Sequence, residues 1–327
     1  MNSLVDFWYL IDDRPCARIC PFLQGSMRGM IADIVYVNGS FVKKEDAKVS
    51  VFDHGFIYGD GAFEGLQIVN GHVFQLAAHL DRLEDSVHYL GFSMPMTQAE
   101  LQELILETAR RNKIDNGYVR PIITRGSGPL GIRNMSELGK PTVVIMCQFE
   151  KIEARRAKWD KGITAQVVSV RRIPAASMDT RAKTCNYINN ILAYLEAQAA
   201  GAETAIMLDA EGNVAEAYSS NLFVVKDGKV VTPSLGSILN GVTRRLLLDL
   251  CHQNNLPATE GRLSTYDLVT ADEVFECGTM AEVRPLVTIN GRTIGGGKPG
   301  PITKQLHGLL RDMMESGKHG EPIGLAA

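Results

Sequence analysis

The distribution of apolar and polar residues predicts paired strands near the start of the chain. Residues 35–37 and 40–42 are strand-like stretches on either side of an Asn-Gly pair at 38–39, a dipeptide typical of a type I′ hairpin turn. A second such hairpin is predicted over residues 61–76, with the Asn-Gly pair at 70–71 as its turn. The first ordered elements are therefore expected to be two β-hairpins.

Apolar residues at helical spacing follow these hairpins in two segments. Residues 76–91 end on Gly91, a residue that favours the C-terminal cap of a helix. Residues 96–114 have Thr97 as the predicted N-cap and Glu100 at the capping-box position. Both segments are predicted to be helices.

The rest of the chain mixes strand-like and helical patterns without a strict βαβ alternation. Further strand-like stretches lie at residues 117–126, 141–149, 163–173 and 273–295. Residues 204–233 are expected to form three strands joined by tight turns. Further helices are expected within residues 181–203, 242–255 and 300–316. Clustered strands with helices packed outside them indicate the α+β class.

The same patterns suggest two lobes. The predicted organisation is an extension over residues 1–30, a small N-terminal lobe over 31–148, a linker over 149–160, a large lobe over 161–316 and a tail over 317–327. The linker is placed where the sequence becomes charged and loses strand alternation. Residues 1–30 lack the basic start and apolar run of a signal peptide, so we expect a disordered or loosely attached segment.

Composition narrows the classes of partner. The chain has 327 residues, of which 45% are hydrophobic and 22% charged, and its net charge is −3. The sequence shows no basic stripe for nucleic acid or an anionic membrane, and no apolar run approaches the roughly 20 residues of a membrane span. Small molecules and other copies of the chain are the expected partners.

The cysteines are scattered and do not have the spacing of a metal site. The chain has six, at positions 16, 20, 147, 185, 251 and 277. Only the first two lie close together, and no second pair of ligands accompanies them. We therefore expect no metal, and free thiols in a cytoplasmic protein.

One lysine stands out against this background. Lys183 lies just before a predicted helix, and a lysine amine can form a Schiff base with pyridoxal phosphate. Such a site also needs a phosphate-binding group and a carboxylate facing the pyridine nitrogen. Residues 240–243 and 278–281 offer backbone amides, Arg82 offers a cation and Glu216 offers the carboxylate. Each residue also has an ordinary interpretation as a surface side chain, a helix cap or a salt-bridge partner.

Seven ordered motifs carry a resemblance to a known family. They are VFDHGFIYGDGAFEG, HLDRL, YVRPIITRGSGPLG, KTCNYINNILA, AEAYSSNLFVVKDGKVVTP, ILNGVTR and FECGTMAEVRP, within residues 31–315. Together they resemble the fold-type IV, or class IV, pyridoxal-phosphate aminotransferases, and among these the branched-chain amino acid aminotransferases most closely. The resemblance implies the two-lobed α+β fold of this family, shared with D-amino-acid aminotransferase, with a small N-terminal lobe and a larger β-rich lobe.

The resemblance implies a role for each candidate at the cofactor. Lys183 would be the catalytic Schiff-base lysine, Glu216 would pair with the pyridine nitrogen, and Tyr187 would lie near the cofactor hydroxyl. Leu239 would pack against the ring. Ser219, Ser220 and Asn221 would lie near Leu239 at the ring. Phosphate contacts would come from Arg82, Val242, Thr243 and Thr279.

The resemblance also implies substrate contacts and a homodimer. Tyr118 and the amides of Thr279, Met280 and Ala281 would bind the α-carboxylate, and Arg120 the distal carboxylate of glutamate. Tyr58 and Phe63 would be pocket residues of the small lobe. In this family small-lobe elements of one subunit help to close the partner's site.

Two departures leave the substrate open. Residues 66–67 are Leu-Gln, where many branched-chain enzymes have an apolar residue and Arg, and the loop 124–134 is more like those of D-amino-acid aminotransferases and aminodeoxychorismate lyases. The predicted reaction is transfer of an amino group to 2-oxoglutarate, with a branched-chain L-amino acid as the expected donor. The alternatives are the D-amino-acid and lyase reactions, and more remotely a non-catalytic protein of the same fold.

Overall fold

The computed structural model describes residues 30–150 and 152–325. Its strands are β1 (Ile34–Val37), β2 (Ser40–Lys43), β3 (Gly61–Phe63), β4 (Leu66–Val69), β5 (His72–Phe74), β6 (Gly117–Thr124), β7 (Thr142–Phe149), β8 (Ile163–Arg171), β9 (Thr204–Leu208), β10 (Val214–Ala217), β11 (Asn221–Lys226), β12 (Lys229–Pro233), β13 (Ala258–Gly261), β14 (Glu273–Gly278), β15 (Glu282–Ile289), β16 (Arg292–Thr293) and β17 (Gly320–Pro322). Its α-helices are α1 (His54–Tyr58), α2 (Leu76–Tyr89), α3 (Gln98–Arg111), α4 (Ile152–Lys161), α5 (Ile188–Ala199), α6 (Val242–Gln253), α7 (Thr265–Val269) and α8 (Pro301–Glu315). A 3₁₀ segment spans Ile132–Glu137.

The strands form two sheets, and each is the centre of one lobe. The first sheet has the order β17-β5-β4-β6-β7-β1-β2, with β3 paired to β6. The second has the order β10-β9-β8-β15-β14-β11-β12-β13, with β16 paired to β15. The α+β, two-lobed class expected from the sequence is confirmed.

Local sequence signals explain much of the small lobe. Asn38 and Gly39 both have positive φ, as a type I′ turn requires, and they join β1 to β2 in the predicted register. Thr97 and Glu100 form the predicted capping box at the start of α3. Apolar residues of α2 and α3 then pack on one face of the sheet, with Leu80, Leu83, Leu101 and Ile105 almost completely buried.

The large lobe has its core between the second sheet and two helices. Phe223 and Phe275 stack in the sheet with ring centroids 5.0 Å apart. Leu247 of α6 and Leu306 and Leu310 of α8 belong to the same buried cluster. This packing fixes α6 against the sheet and thereby positions the start of that helix.

The structure corrects the expectation of three strands over residues 204–233. Four strands are present, because residues 218–220 interrupt the strand pattern and the Ala217 amide donates to the Ser220 carbonyl across a tight turn. This turn brings Ser219 and Ser220 to the end of the sheet.

Two segments that the sequence assigned to connecting chain contain regular structure. Residues 152–161, nearly all of them in the predicted linker 149–160, form α4, and in the predicted tail β17 pairs with β5 of the small sheet. We propose that the lobes divide between Phe149 and Ile163, since β7 belongs to the first sheet and β8 to the second. Residues 1–29 of the predicted extension lie outside the described residues. Of the helices in the described part, none is long and apolar enough to cross a membrane.

Candidate active site

A cavity of about 410 Å³ lies between the two sheets. It contains sixteen of the seventeen residues that the sequence nominated for cofactor or substrate. They are Phe63, Arg82, Tyr118, Arg120, Lys183, Tyr187, Glu216, Ser219, Ser220, Asn221, Leu239, Val242, Thr243, Thr279, Met280 and Ala281. Residues that are far apart in the chain therefore converge on one space.

Lys183 is held in the cavity by its backbone. Its amide donates to Ser86 Oγ at 2.9 Å, and its carbonyl accepts from the Phe63 amide at 3.1 Å. The side chain is thereby directed toward Tyr187, whose hydroxyl accepts from Lys183 Nζ at 2.7 Å. The amine also lies 4.5 Å from the centre of the Phe63 ring, a cation–π distance. Lys183 thus precedes α5 as predicted, but it is not a surface residue.

Glu216 of β10 is surrounded by donors. Its Oε1 accepts from Arg172 Nε at 2.7 Å, and its Oε2 accepts from Asn221 Nδ2 at 3.1 Å and from the Leu239 amide at 3.0 Å. A carboxylate offers only acceptors and so matches all three donors. The charge that the sequence placed inside a strand is therefore buried in the cavity wall with its partners.

The start of α6 supplies free amides at another part of the cavity. Gly241 is the N-cap and offers no side chain to the first turn, so the amides of Val242 and Thr243 remain available for an anion. A Cβ at position 241 would meet Asn221 Oδ1 at 2.1 Å, so the chain needs glycine here. Arg82 adds a cation, with Nη1 donating to the Asn240 carbonyl at 3.0 Å.

Sequence reasoning missed the group that holds Arg82. Glu64 is completely buried and binds Arg82 through both carboxylate oxygens, at 2.6 and 2.9 Å, and His79 Nδ1 at 2.7 Å. Burial opposes ionisation of Glu64, but Arg82 and His79 outweigh it and hold its pKa well below its usual range. The signal for this residue was present in the sequence as a lone acid inside the apolar stretch that leads into β4.

Arg120 differs from the other arginines of the cavity wall. Three of them pair with buried acids: Arg82 with Glu64, Arg172 with Glu216 and Arg284 with Glu276. Arg120 has no acidic partner among the described residues; its Nε donates to the Tyr118 hydroxyl at 2.9 Å and its guanidinium lies 4.8 Å from the Phe63 ring centre. Its remaining donors are available to a carboxylate ligand.

Tyr58 is the one nominated residue that does not line the cavity of its own chain. Its ring packs against His54 at 4.9 Å, and its hydroxyl accepts from the Gly131 amide at 3.1 Å. These contacts hold the side chain at the surface of the small lobe, where it is 38% exposed. Within one chain Tyr58 therefore lies outside the cavity, and its role as a pocket residue stays a prediction.

The cavity also contains residues that the sequence did not nominate, among them Arg172, Thr180, Asn190 and Arg284. The Thr180 hydroxyl and Asn190 Oδ1 are buried and have no partner in the described part of the protein. The donor set as a whole matches pyridoxal phosphate: Lys183 for the aldehyde, Glu216 for the ring nitrogen, and the α6 amides with Arg82 for the phosphate.

Comparison with known proteins points to the same chemistry. Residues 61–289 match the family model described as amino-transferase class IV. A putative branched-chain-amino-acid aminotransferase of Methanocaldococcus jannaschii is 41% identical over 280 residues, 85% of this chain and 96% of the relative. The branched-chain-amino-acid aminotransferase of Pseudomonas aeruginosa is 35% identical over 290 residues, 87% of this chain and 94% of the relative.

Solved structures agree. The T.th. branched-chain amino acid aminotransferase with pyridoxamine 5'-phosphate has a TM-score of 0.84 at 33% identity, covering 88% of this chain and 96% of that one. The Escherichia coli enzyme also has a TM-score of 0.84, at 31% identity, covering 90% of this chain and 100% of that one. The chain therefore belongs to the class IV aminotransferases.

Proposed function

We propose that the protein is a pyridoxal-phosphate aminotransferase that moves an amino group from a branched-chain L-amino acid to 2-oxoglutarate. The observation that carries this proposal is the convergence of Lys183, Glu216 and the free amides of α6 on one cavity. The relatives named as branched-chain aminotransferases support the substrate class.

Bound pyridoxal phosphate supplies an aldehyde that captures the amino group and a ring that takes up the electrons released at Cα. The protein's own residues do the rest. Lys183 Nζ, within hydrogen-bond distance of the Tyr187 hydroxyl, would take the proton from Cα of the amino-acid donor and, in the reverse half-reaction, deliver a proton to Cα of the keto-acid acceptor. Glu216 would hold the proton on the ring nitrogen, and the α6 amides with Arg82 would hold the phosphate in place.

The part of the cavity assigned to the substrate has groups that suit two kinds of substrate side chain, apolar and acidic. Phe63, Tyr187 and Met280 offer apolar surface to a branched aliphatic group. Arg120, free of an acidic partner in the described part, provides a cation for the distal carboxylate of glutamate or 2-oxoglutarate. One cavity thus accepts both substrates in turn.

The loop that pointed toward D-amino-acid enzymes does not touch this cavity within one chain. Arg125 at its start is bound to Asp60, and Gly131 further along is bound to the Tyr58 hydroxyl. The D-amino-acid and lyase reactions are the alternatives, and residues 124–134 do not decide between them within one chain because none of them lines the cavity.

A spectral titration tests the function. The purified protein with bound cofactor is expected to lose its visible absorption band when L-leucine is added without acceptor, and to regain it when 2-oxoglutarate follows. D-alanine serves as the control and should leave the band unchanged. Loss of the band with D-alanine alone would identify a D-amino-acid aminotransferase instead. Release of pyruvate from aminodeoxychorismate without an acceptor would identify a lyase.

We further propose a homodimer. Ile188, Ile191, Leu192 and Leu195 of α5 are 49–65% exposed and follow one another at positions i, i+3, i+4 and i+7, so they form an apolar stripe on one helix face. Phe56, Leu130 and Ile132 form further exposed apolar surface beside Tyr58. A second copy covering these surfaces would bring Tyr58 and the loop 124–134 to the partner's cavity.

Sedimentation equilibrium measures this proposal directly. The expected mass is twice the 35.8 kDa of one chain. A concentration-independent monomer would contradict the dimer and the role of Tyr58 in a partner's site.

The unpaired thiols of Cys147, Cys185, Cys251 and Cys277 agree with the expected cytoplasmic location, which cell fractionation tests.

A further inference from the structure

The loop between β14 and β15 is a three-residue hairpin turn made by Thr279, Met280 and Ala281. Gly278 and Glu282 are paired at its base, and Glu282 has φ +52°. The left-handed residue of such a turn is normally glycine, and holding another residue there costs on the order of 1–3 kcal/mol. The side chain of Glu282 must therefore contribute something that glycine would not.

The Glu282 carboxylate is almost completely buried, with 1% of the residue exposed. Its Oε1 accepts from Gln67 Nε2 at 2.9 Å and from Arg311 Nη1 at 3.2 Å, and its Oε2 lies 3.4 Å from His307 Nε2. Burial opposes ionisation, but His307 and Arg311 outweigh it, so the pKa of Glu282 lies below its usual range. The carboxylate is thus a fixed buried anion between β4 and α8.

The turn itself is held from a third direction by α4. Trp159 Nε1 donates to the Ala281 carbonyl at 3.0 Å, and Arg155 Nη2 lies 3.5 Å from Met280 Sδ. The amides of Thr279, Met280 and Ala281, in contrast, donate to no protein group in the described ranges. The turn is thus fixed through the Ala281 carbonyl and the Met280 side chain, and all three of its residues line the cavity.

Gln67 is the contribution of the small lobe to this arrangement. It lies in β4 directly opposite Tyr118 of β6, and it is separated from Glu282 by 215 positions in the chain. Through its hydrogen bond to Glu282, its side chain therefore connects β4, next to Tyr118, with the Thr279–Ala281 turn of the large lobe. This is the position at which the sequence departs from many branched-chain enzymes, which have arginine there.

We propose that Gln67 and Glu282 are positioning residues that hold the turn Thr279–Ala281 in the conformation that binds the substrate's α-carboxylate. The proposal rests on the proposed function, since it assigns that carboxylate to the free amides of the turn. This positioning role explains why position 282, in the left-handed conformation that usually takes glycine, has a buried glutamate. A neutral amide suffices at position 67 because Arg311 and His307 already compensate the charge of Glu282.

The test compares Gln67→Met, which keeps the volume but loses the donor, with wild-type holoenzyme. Calorimetric titration with 4-methylvaleric acid, which has a carboxylate but no amino group, should give a Kd about tenfold higher, as expected when a buried charge loses one hydrogen bond. KM for L-leucine should rise by a similar factor, with kcat within about threefold. The matched control is Gln166→Met in β8, outside the cavity, which should change neither value.

Glu282→Gln provides a second variant in case Gln67→Met does not fold, and it should also weaken binding of the acid. Unchanged Kd and KM in a folded, cofactor-loaded Gln67→Met or Glu282→Gln protein would overturn the proposal, as would a fall in kcat alone. A wild-type protein that binds the acid but transfers no amino group would instead contradict the proposed function, so the two failures are distinguishable.

Discussion

Replacing Lys183 with alanine is expected to abolish transamination and the visible absorption of lysine-bound cofactor. The amine lies in the cavity beside the Tyr187 hydroxyl and the Phe63 ring, and no other lysine lines that cavity in the described part of the chain. Loss of a positioned proton-transfer group alone lowers a rate by about 10²–10⁴-fold. Since the same amine also forms the covalent link to the cofactor, kcat should fall by more than about 10³-fold.

The measurement is the absorption spectrum of the purified variant together with single-turnover kinetics on L-leucine. Lys226→Ala is a suitable control, because this lysine is half-exposed and forms a surface ion pair with Asp272 that contributes little to stability. A Lys183→Ala protein that retains the band of lysine-bound cofactor would show that another amine carries it, and the assignment of the site would fail.

Local signals in the sequence are sufficient for the elements that frame this site. The Asn-Gly turn at 38–39 and the capping box of Thr97 and Glu100 depend on neighbouring residues only, so both can be predicted from the sequence. Lys183 and Glu216 are identified by residue type and position in motifs, and the structure places both in one cavity.

Features that depend on contacts between distant segments cannot be predicted from local sequence signals. Glu64 acquires its role only because α2 brings Arg82 against it and the segment leading into α6 brings Asn240, 158 positions from Arg82, to the other side of that guanidinium. β17 pairs with β5 across most of the chain. Such pairings follow from packing of the whole fold, which hydrophobic periodicity does not encode.

The charged segment before β8 illustrates the same limit. Residues 152–161 have no clear apolar face, and the sequence suggested connecting chain. Trp159 is nevertheless buried, because its indole donates to the Ala281 carbonyl and its ring lies 4.7 Å from His307. The helix is stabilised by what it contacts rather than by its own pattern.

Glu216→Gln is expected to keep the cofactor and lose most of the turnover. Lys183, Arg82 and the α6 amides, which are the groups assigned to the aldehyde and phosphate, do not contact the substituted atoms. The side-chain amide that replaces the Glu216 carboxylate, however, is neutral and cannot hold a proton on the ring nitrogen. Its NH₂ group must also face at least one of the three donors that now meet the carboxylate, from Arg172, Asn221 and Leu239. Removal of such a preorganised electrostatic contact lowers kcat by about 10²–10³-fold.

The matched control is Glu273→Gln, since Glu273 is also buried but caps the start of α8 outside the cavity. It should lower the thermal midpoint and leave kcat of the folded protein near the wild-type value, because loss of a helix cap costs about 0.5–2 kcal/mol of stability. Near-normal kcat in Glu216→Gln with full cofactor content would contradict the ring-nitrogen role. A loss of cofactor instead would show that Glu216 acts mainly in binding, through the cavity wall that Arg172, Asn221 and Leu239 form around it.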